Sequence, residues 1–306
     1  MNEFLCVSSS PHIRHIDTTR GIMGDVILAL SPAAIFGCIL FGLKAILLIV
    51  ACIASCVVAE YFWNVILKKE QTIGDLSAVV TGLLLAMNLS SNVPVWVAVI
   101  GSVAAIIVIK QMFGGIGHNF VNPAIGARII LLVSFPSFMT SFSAPFCSTD
   151  AVSSATPLAS DTALSLKNLF FGMHGGCIGE TSAFLLLIGG LYLVLRKVIS
   201  PIIPLSFIGT VALFGAISGE NPLTYILSGG VILGAVFMAT DYTTSAKTPL
   251  GKLIFGIGCG LITFVIRKFG SLPEGVSYSI ILMNILTPHI DKLTYLKPFG
   301  AKEAKQ

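Results

Sequence analysis

Long apolar segments constrain this chain more than any other feature of its sequence. A stretch of about 20 apolar residues is the length of α-helix that crosses a bilayer. Only 10% of the residues are charged and 55% are hydrophobic, which excludes an ordinary soluble protein and gives no basis for binding nucleic acid. We therefore predict an all-α polytopic membrane protein with about ten transmembrane helices. The apolar segments are Gly24–Phe41, Leu43–Ile66, Leu76–Asn88, Val93–Met112, Pro123–Met139, Thr181–Val198, Ile202–Ile217, Ile226–Thr240, Leu250–Ile266 and Val276–Ile290.

The basic residues predict the orientation of these helices. If the amino terminus lies inside, all but five of the 18 Lys and Arg residues fall at inside ends or connections. Lys110 is one of the residues assigned to the inside. Because Lys and Arg accumulate on the cytoplasmic side of membrane proteins, both termini are predicted to be cytoplasmic. The five exceptions are the outside residues Lys44, Lys167, Arg267 and Lys268 and the intramembrane Arg128.

One long connection, residues 140–180, divides the chain into two halves and is predicted to lie outside. Residues 1–139 hold the amino-terminal tail and five segments, and residues 181–306 hold five more and the carboxy-terminal tail. Because five is odd, similar halves would have opposite orientations, as in the inverted repeats of transport folds. The third segment of each half is too short to cross the membrane, so we predict broken helices there, with an ordinary capped helix as the alternative for each.

The seven cysteines contain no Cys-x-x-Cys pair. Most lie in or beside apolar segments, where a cysteine behaves as a small hydrophobic residue. Cys52 and Cys56 are four residues apart on one predicted helix, but two thiolates are an incomplete iron–sulfur site that a partner chain would have to complete. Cys147 and Cys177 share the outer connection, and whether they form a disulfide is left open.

The outer connection contains one motif with specific chemistry. By composition it is an ordinary turn-rich loop. It also matches Asp-x-x-Ser/Thr-Gly/Ser-Ala-Thr, the acceptor pattern of flavin transferases, which attach FMN through its phosphate to the last threonine. Thr156 supplies the hydroxyl, and the transferase recognises the preceding residues. The motif is Asp150-Ala151-Val152-Ser153-Ser154-Ala155-Thr156.

Four further stretches, together with this motif, carry a resemblance across essentially the whole chain. They resemble the NqrB/RnfD family of membrane subunits, and more closely the Rnf branch, because the Nqr branch has a longer amino-terminal region. The resemblance implies covalent FMN on Thr156 and electron relay across a bacterial inner membrane, coupled to Na⁺ or H⁺ translocation. The stretches are residues 9–14 (SSPHIR), 114–124 (GGIGHNFVNPA), 179–182 (GETS) and 237–241 (FMATD).

The resemblance also implies a second, non-covalent flavin beside Asn119 and Asn122, since an asparagine pair is associated with riboflavin in the Nqr branch. A helix cap at Asn122, with Pro123 starting the helix, is a compatible alternative. Asp241 and Asp291 are candidates for an ion-linked acid, because ionisable groups are costly in membranes, although both lie near helix ends where capping also explains them. Asp291 resembles an acid that is linked to cation uptake in the Nqr branch.

The chain lacks a nucleotide-binding fingerprint and a ferredoxin-type cysteine cluster, so it is not expected to be catalytic alone. The resemblance implies Rnf-type partners: a membrane pair with an iron–sulfur centre, the flavin-bearing G subunit, cytoplasmic NADH/ferredoxin subunits and the flavin transferase. One alternative is a subunit of the Na⁺-pumping NADH:quinone reductase. Another is a channel or secondary transporter, because a scaffold does not fix function.

Overall fold

A computed structural model describes residues 18–143, 145–146, 166–219, 221–270 and 275–295. Within these ranges the regular structure is helical apart from isolated bridge residues such as the pair Ser90 and Cys177, which confirms the predicted all-α class there. The motif that ends at Thr156, with Asp150, Ser153, Ser154 and Ala155, lies outside the described residues, as does Cys147.

Two helices of the first half, α1 and α5, begin at a residue whose side chain caps them. Helix α1 starts after Thr18, whose hydroxyl accepts a hydrogen bond from the Gly21 N–H at 3.2 Å. Helix α4 changes to π geometry over its second part, Ala104–Gln111, and a 3₁₀ turn at Ile73–Asp75 precedes α3. The helices are α1 Thr19–Phe41, α2 Leu43–Ile66, α3 Ser77–Met87, α4 Val95–Val103, α5 Pro123–Ser134 and the short α6 Pro136–Met139.

The second half follows a similar order. Its third segment is divided into α10 and α11, and α11 continues in π geometry over Gly234–Met238. The short helix α7 lies within the predicted outer connection. The helices are α7 Leu166–Phe171, α8 Ala183–Leu195, α9 Ile202–Ile217, α10 Pro222–Leu227, α11 Val231–Leu233, α12 Pro249–Phe269 and α13 Val276–Thr294.

Three of the described helices, α1, α2 and α12, are long and apolar enough to cross a bilayer by length and composition. The outward side chains on α1 and α2 include Ile39 and Leu43, which are 63% and 70% exposed. Exposed apolar surface on this scale is typical of a protein surrounded by lipid. Each of the ten predicted segments contains helix, but the number of crossings and the inversion of the halves stay predictions.

The two halves repeat the same packing. The second helix packs on the fourth in each half, α2 on α4 and α9 on α12. The first helices of the halves, α1 and α8, pack on each other, and so do the last, α5 and α13. Small residues allow close approach, since a Cβ on Gly82 of α3 would lie 2.8 Å from the Cys52 carbonyl oxygen of α2. This is the pattern expected if the halves are related by a twofold axis.

Candidate functional site

A cavity of about 330 Å³ lies between the two halves. Its walls come from α1, α3, the segment before α5, the end of α8 and both π-helical segments. Apolar side chains such as Met23, Leu84 and Phe237 form most of the lining, and a few polar groups interrupt it. Cavities of this size and character are typical of small-molecule and cofactor sites. π-Helical segments are rare and are often found at functional sites, so their presence here in both halves is informative.

The structure brings Asn119, Asn122 and Asp241, three of the residues named from the sequence, into the lining of this cavity. Asn122 also caps α5: its Oδ1 accepts the Ala124 N–H at 3.0 Å, and its Nδ2 donates to the Met238 carbonyl at 3.2 Å. The helix-cap interpretation of Asn122 is therefore correct. Both of its polar atoms already have protein partners.

Asn119 differs from Asn122 in its surroundings. Its Oδ1 is buried and has no hydrogen-bond partner among the described residues. A buried polar atom without a partner costs free energy, and such atoms often mark the place of a ligand. Asn119 is therefore the better candidate for a direct contact with a molecule in the cavity.

Asp241 lies in the connection after the π-helical segment of α11. Its Oδ2 accepts hydrogen bonds from the hydroxyls of Thr243 and Thr244, both at 3.0 Å. Burial raises the pKa of the Asp241 carboxyl above its ordinary value, and the two hydroxyl donors lower the pKa and so oppose part of that rise. A carboxyl with these properties is held in position and binds a proton more tightly than an exposed one.

A buried ion pair at the side of the cavity was not predicted from the sequence. Lys110 was assigned to the inside surface, but its side chain is 2% exposed and its Nζ lies 2.8 Å from Oε2 of Glu60. Lys110 also donates to the Ser77 hydroxyl at 2.6 Å, and Lys110 and Ser77 both line the cavity. The available signal was that two opposite charges fall within apolar segments, where ionisable residues tend to pair.

Asp291, the other candidate ion-linked acid, lies apart from this cavity. Its Oδ1 accepts the backbone N–H of Lys247 at 3.0 Å, which ties α13 to the connection before α12. It lines a separate pocket with Lys247, Lys292 and Tyr295. The structure therefore gives Asp291 a positioning contact and does not bring it to Asn119 and Asp241.

An arginine donates hydrogen bonds at the predicted break in the third segment of the second half. Helix α10 ends at Leu227, and Gly229 and Gly230 follow with positive φ values of 62° and 67°, which favour glycine. Arg267 of α12 donates to the carbonyls of Tyr225, Ser228 and Gly229 at 2.7, 3.0 and 2.9 Å. Arg267 was predicted to be an outside surface charge. Here it supplies the donors that the end of a broken helix requires.

Arg128 and Glu180 lie at the ends of two short helices, α3 and α11. Arg128 donates to Oδ1 of Asn88, the C-cap of α3, at 2.7 Å, and its Nη2 lies 3.6 Å from Oε1 of Glu180. A Cβ added to Gly230 would lie 2.6 Å from the same Glu180 oxygen, so this carboxylate reaches the amino-terminal end of α11. Opposite charges at the two ends are favourable for helix dipoles. Protein side chains therefore occupy the ends of α3, α10 and α11. Within Leu76–Asn88 the helix α3 is continuous, as the capped-helix alternative expected.

The end of the predicted outer connection is part of the core. Ile178 is fully buried, its N–H donates to the Leu89 carbonyl at 3.0 Å, and the Gly179 N–H donates to the Met87 carbonyl at 2.8 Å. Residues 177–180 therefore pack against the end of α3 and fix Glu180 in place.

Cys52 and Cys56 are fully buried where α2 meets its neighbours, and the Cys56 thiol donates to the Ser102 carbonyl of α4 at 3.8 Å. Among the residues that the structure describes, no group of three or more His, Cys, Asp and Glu side chains is placed to hold a metal ion. These contacts support the packing interpretation of the two cysteines.

Comparisons of the sequence with known proteins all give the same family. The sequence model of the NQR2, RnfD, RnfE family matches residues 6–300. The chain is 50% identical to the D subunit of the Na⁺-translocating ferredoxin:NAD⁺ oxidoreductase complex of Acetobacterium woodii, over 100% of this chain and 99% of that protein. It is 43% identical to the D subunit of the proton-translocating ferredoxin:NAD⁺ oxidoreductase complex of Clostridium ljungdahlii, over 97% of this chain and 96% of that protein.

Proposed function

Because this chain belongs to the NQR2, RnfD, RnfE family, we propose that it is the flavin-carrying membrane subunit of an ion-translocating ferredoxin:NAD⁺ oxidoreductase. It relays electrons across the bacterial inner membrane, and the electron flow drives ion translocation. The two relatives above are named for different ions, Na⁺ and protons, so both ions are compatible with this proposal. Cytoplasmic Rnf-type subunits handle NADH and ferredoxin, and a membrane pair with an iron–sulfur centre and the flavin-bearing G subunit complete the relay.

The observation that carries the proposal is the cavity between the halves, with the unpartnered Oδ1 of Asn119 beside it. A mainly apolar cavity with a few polar groups suits the ring of a flavin, whose faces are apolar and whose edge carries hydrogen-bonding atoms. Asn119 would accept a hydrogen bond from the ring or its ribityl chain, and Lys110, which also lines the cavity, would donate one. When bound, the flavin supplies one- and two-electron chemistry that no side chain of this cavity offers.

The charges around the cavity favour an uncharged flavin. Among the described residues, Lys110 is the one basic side chain of the lining, and the carboxylate of Glu60 offsets the Lys110 charge at 2.8 Å. Asp241 adds an acidic group to the lining. A flavin phosphate would meet little compensation for its charge in such a place. Riboflavin is therefore the expected non-covalent ligand.

The second flavin of the proposal is FMN on Thr156. In the attachment step the Thr156 hydroxyl oxygen attacks the FMN-side phosphorus of FAD. A new phosphoester bond forms, the bond to AMP breaks, AMP leaves and the hydroxyl proton is released. The acceptor motif supports this assignment, with Asp150, Ser153, Ser154 and Ala155 as the residues that the transferase recognises.

The broken helices disfavour a channel or secondary transporter. In transporters of this kind the ends of half-helices point at the transported ion or substrate. Here Arg267, Arg128 and Glu180 already occupy those ends. A substrate would have to displace buried charges that have partners.

In-gel flavin fluorescence of the denatured chain tests the proposal. Wild type expressed with the flavin transferase should fluoresce, and wild type without the transferase should not. Thr156→Val, which is nearly isosteric, should be dark in both hosts, while Thr156→Ser should keep partial fluorescence because it retains a hydroxyl. A fluorescent valine variant places the flavin elsewhere. A dark wild type with the transferase present means that the motif is only a loop, as a transporter would have it.

A further inference from the structure

Lys110 is the most deeply buried charged side chain of the cavity lining, and two of its three ammonium hydrogens have protein partners. Its side chain is 2% exposed, and Nζ donates to Glu60 Oε2 at 2.8 Å and to the Ser77 hydroxyl at 2.6 Å. An ammonium group has three hydrogens to donate. Glu60 and Ser77 take two of them, which leaves one for a further acceptor.

The Glu60 side chain accepts hydrogen bonds from three donors. Its Oε1 accepts from the Thr72 hydroxyl at 2.6 Å and from Gln111 Nε2 at 3.1 Å, while Oε2 accepts from Lys110. Hydrogen bonds to its oxygens offset part of the cost of placing a carboxylate away from water. Glu60 therefore holds Lys110 by a charge-assisted hydrogen bond. The pair fixes the position of Nζ at the cavity.

The two charges are not equivalent toward the cavity. Lys110 belongs to its lining together with Ser77, Asn119 and Asp241, whereas Glu60 does not. A group in the cavity is closer to the positive end of the pair than to the negative end. Because electrostatic interactions fall with distance and are strong in a poorly solvated site, the pair presents a net positive potential to that group.

We propose that Lys110 sets the reduction potential of the non-covalent flavin by donating its third hydrogen toward an acceptor atom on the ring. The inference rests on the proposed function, since it requires a flavin in the cavity. Reduction increases the electron density of the ring, and a nearby ammonium stabilises the reduced form relative to the oxidised form. Charge near the ring is one of the means by which proteins tune a flavin. Glu60 limits the effect by offsetting part of the Lys110 charge.

A purely structural ion pair between α2 and α4 is the competing explanation, and the sign of the effect on the potential distinguishes the two. Glu60→Gln keeps a hydrogen-bonding side chain and removes the negative charge, so it should raise the flavin midpoint potential. The Lys110→Met/Glu60→Gln double variant removes both charges without leaving either one alone, so it should lower the potential. A purely structural ion pair predicts no shifts of opposite sign in the flavin midpoint potentials of these two variants.

The test is a redox titration at pH 6 of the full-length purified chain, in a Thr156→Val background that removes the covalent flavin. Each variant should shift the potential by at least about 30 mV, which is a tenfold change in the equilibrium constant of a two-electron couple. The control is Asp25→Asn/Arg196→Met, which removes an ion pair of 3.2 Å between α1 and the end of α8 whose members do not line the cavity. Its potential should match that of the parent.

Unchanged potentials, or shifts of the same sign in both variants, would overturn the role of Lys110 and leave the flavin site intact. A parent chain without extractable flavin overturns the proposed site and this inference together. If the double variant does not fold, an unchanged potential in Glu60→Gln still overturns the inference. A double variant that folds but cannot retain oxidised riboflavin also contradicts the inference, because tuning does not require loss of binding.

Discussion

The guanidinium of Arg128 lies 3.6 Å from the carboxylate of Glu180, and the side chains are 6% and 3% exposed. Arg128 belongs to α5 of the first half, and Glu180 immediately precedes the second half. The pair therefore joins the two halves at the ends of α3 and α11. Its position explains why the segment before α8 is buried and does not extend outward as a loop.

A double-mutant cycle should detect this coupling. Glu180→Leu leaves the buried Arg128 without this carboxylate and should destabilise the chain by about 3–5 kcal/mol. Arg128→Met should have a comparable cost, whereas the double variant should be much more stable than the sum of the single effects predicts. Thermal unfolding of the detergent-purified chain measures all three variants. Strictly additive losses would mean that the two charges do not stabilise each other.

The structure separates the roles of the two asparagines at the cavity. Asn119→Leu removes the unpartnered acceptor and should release non-covalent flavin from the purified chain while stability stays close to that of wild type. Asn122→Leu removes the cap of α5 and should cost about 1 kcal/mol of stability. Asn122→Ser, which retains a capping oxygen, is the matched control and should keep the flavin. Acid extraction followed by chromatography measures the flavin. If Asn119→Leu and Asn122→Leu each retain wild-type amounts of flavin, only the helix-cap role of Asn122 remains.

Asp241 predicts a specific dependence of stability on pH. Because burial raises its pKa in the folded chain, the folded state binds this proton more tightly than the unfolded state does. Its contribution to stability is therefore present below the ordinary pKa of 3.8 and is lost as pH rises through the higher folded pKa. Asp241→Asn should unfold at a higher temperature than wild type at pH 7, and the difference should shrink toward pH 4. An asparagine variant that is less stable than wild type at pH 7 contradicts this balance of burial and hydrogen bonding.

The predicted topology is tested by labelling introduced cysteines. Lys69 is exposed in the structure and is predicted to lie inside, whereas Ser160 belongs to the predicted outer connection. In intact cells Ser160→Cys should react with an impermeant maleimide, and Lys69→Cys should react only after the membrane is permeabilised. Wild type provides the background from the native cysteines. Equal labelling of both variants in intact cells is incompatible with ten crossings and cytoplasmic termini.

Helix positions were predictable from apolar length, but several helix ends and the side-chain contact at one break were not. Helix α1 begins at Thr19, earlier than the predicted Gly24, because the Thr18 cap allows a polar first turn. The short third segment of the second half was expected to be broken, and the glycines that break it are visible in the sequence. That Arg267 closes the break was not predictable, because the contact joins residues about forty positions apart.

The candidate site was also predictable from the sequence only in part. The local motif 114–124 and the stretch that ends at Asp241 were recognised in the sequence, and the structure brings them to one cavity. Lys110 was missed because counting charges for topology treats every lysine as solvated. Its partner Glu60 is fifty residues away, and only the fold brings them together. The grouping of Asp291 with Asp241 as ion-linked acids depended on the resemblance alone, and no shared site accompanies it among the described residues.

The flavin content of the purified wild-type chain, co-expressed with the flavin transferase and precipitated with acid, tests both proposed flavins at once. We expect about one flavin per chain in the washed pellet, attached at Thr156, and about one in the supernatant as riboflavin from the cavity. Mass spectrometry of the pellet should find the FMN adduct on the peptide that contains Thr156, and chromatography should identify the extracted flavin. A chain that is folded and monodisperse but carries flavin in neither fraction would contradict the proposal that this subunit carries flavin.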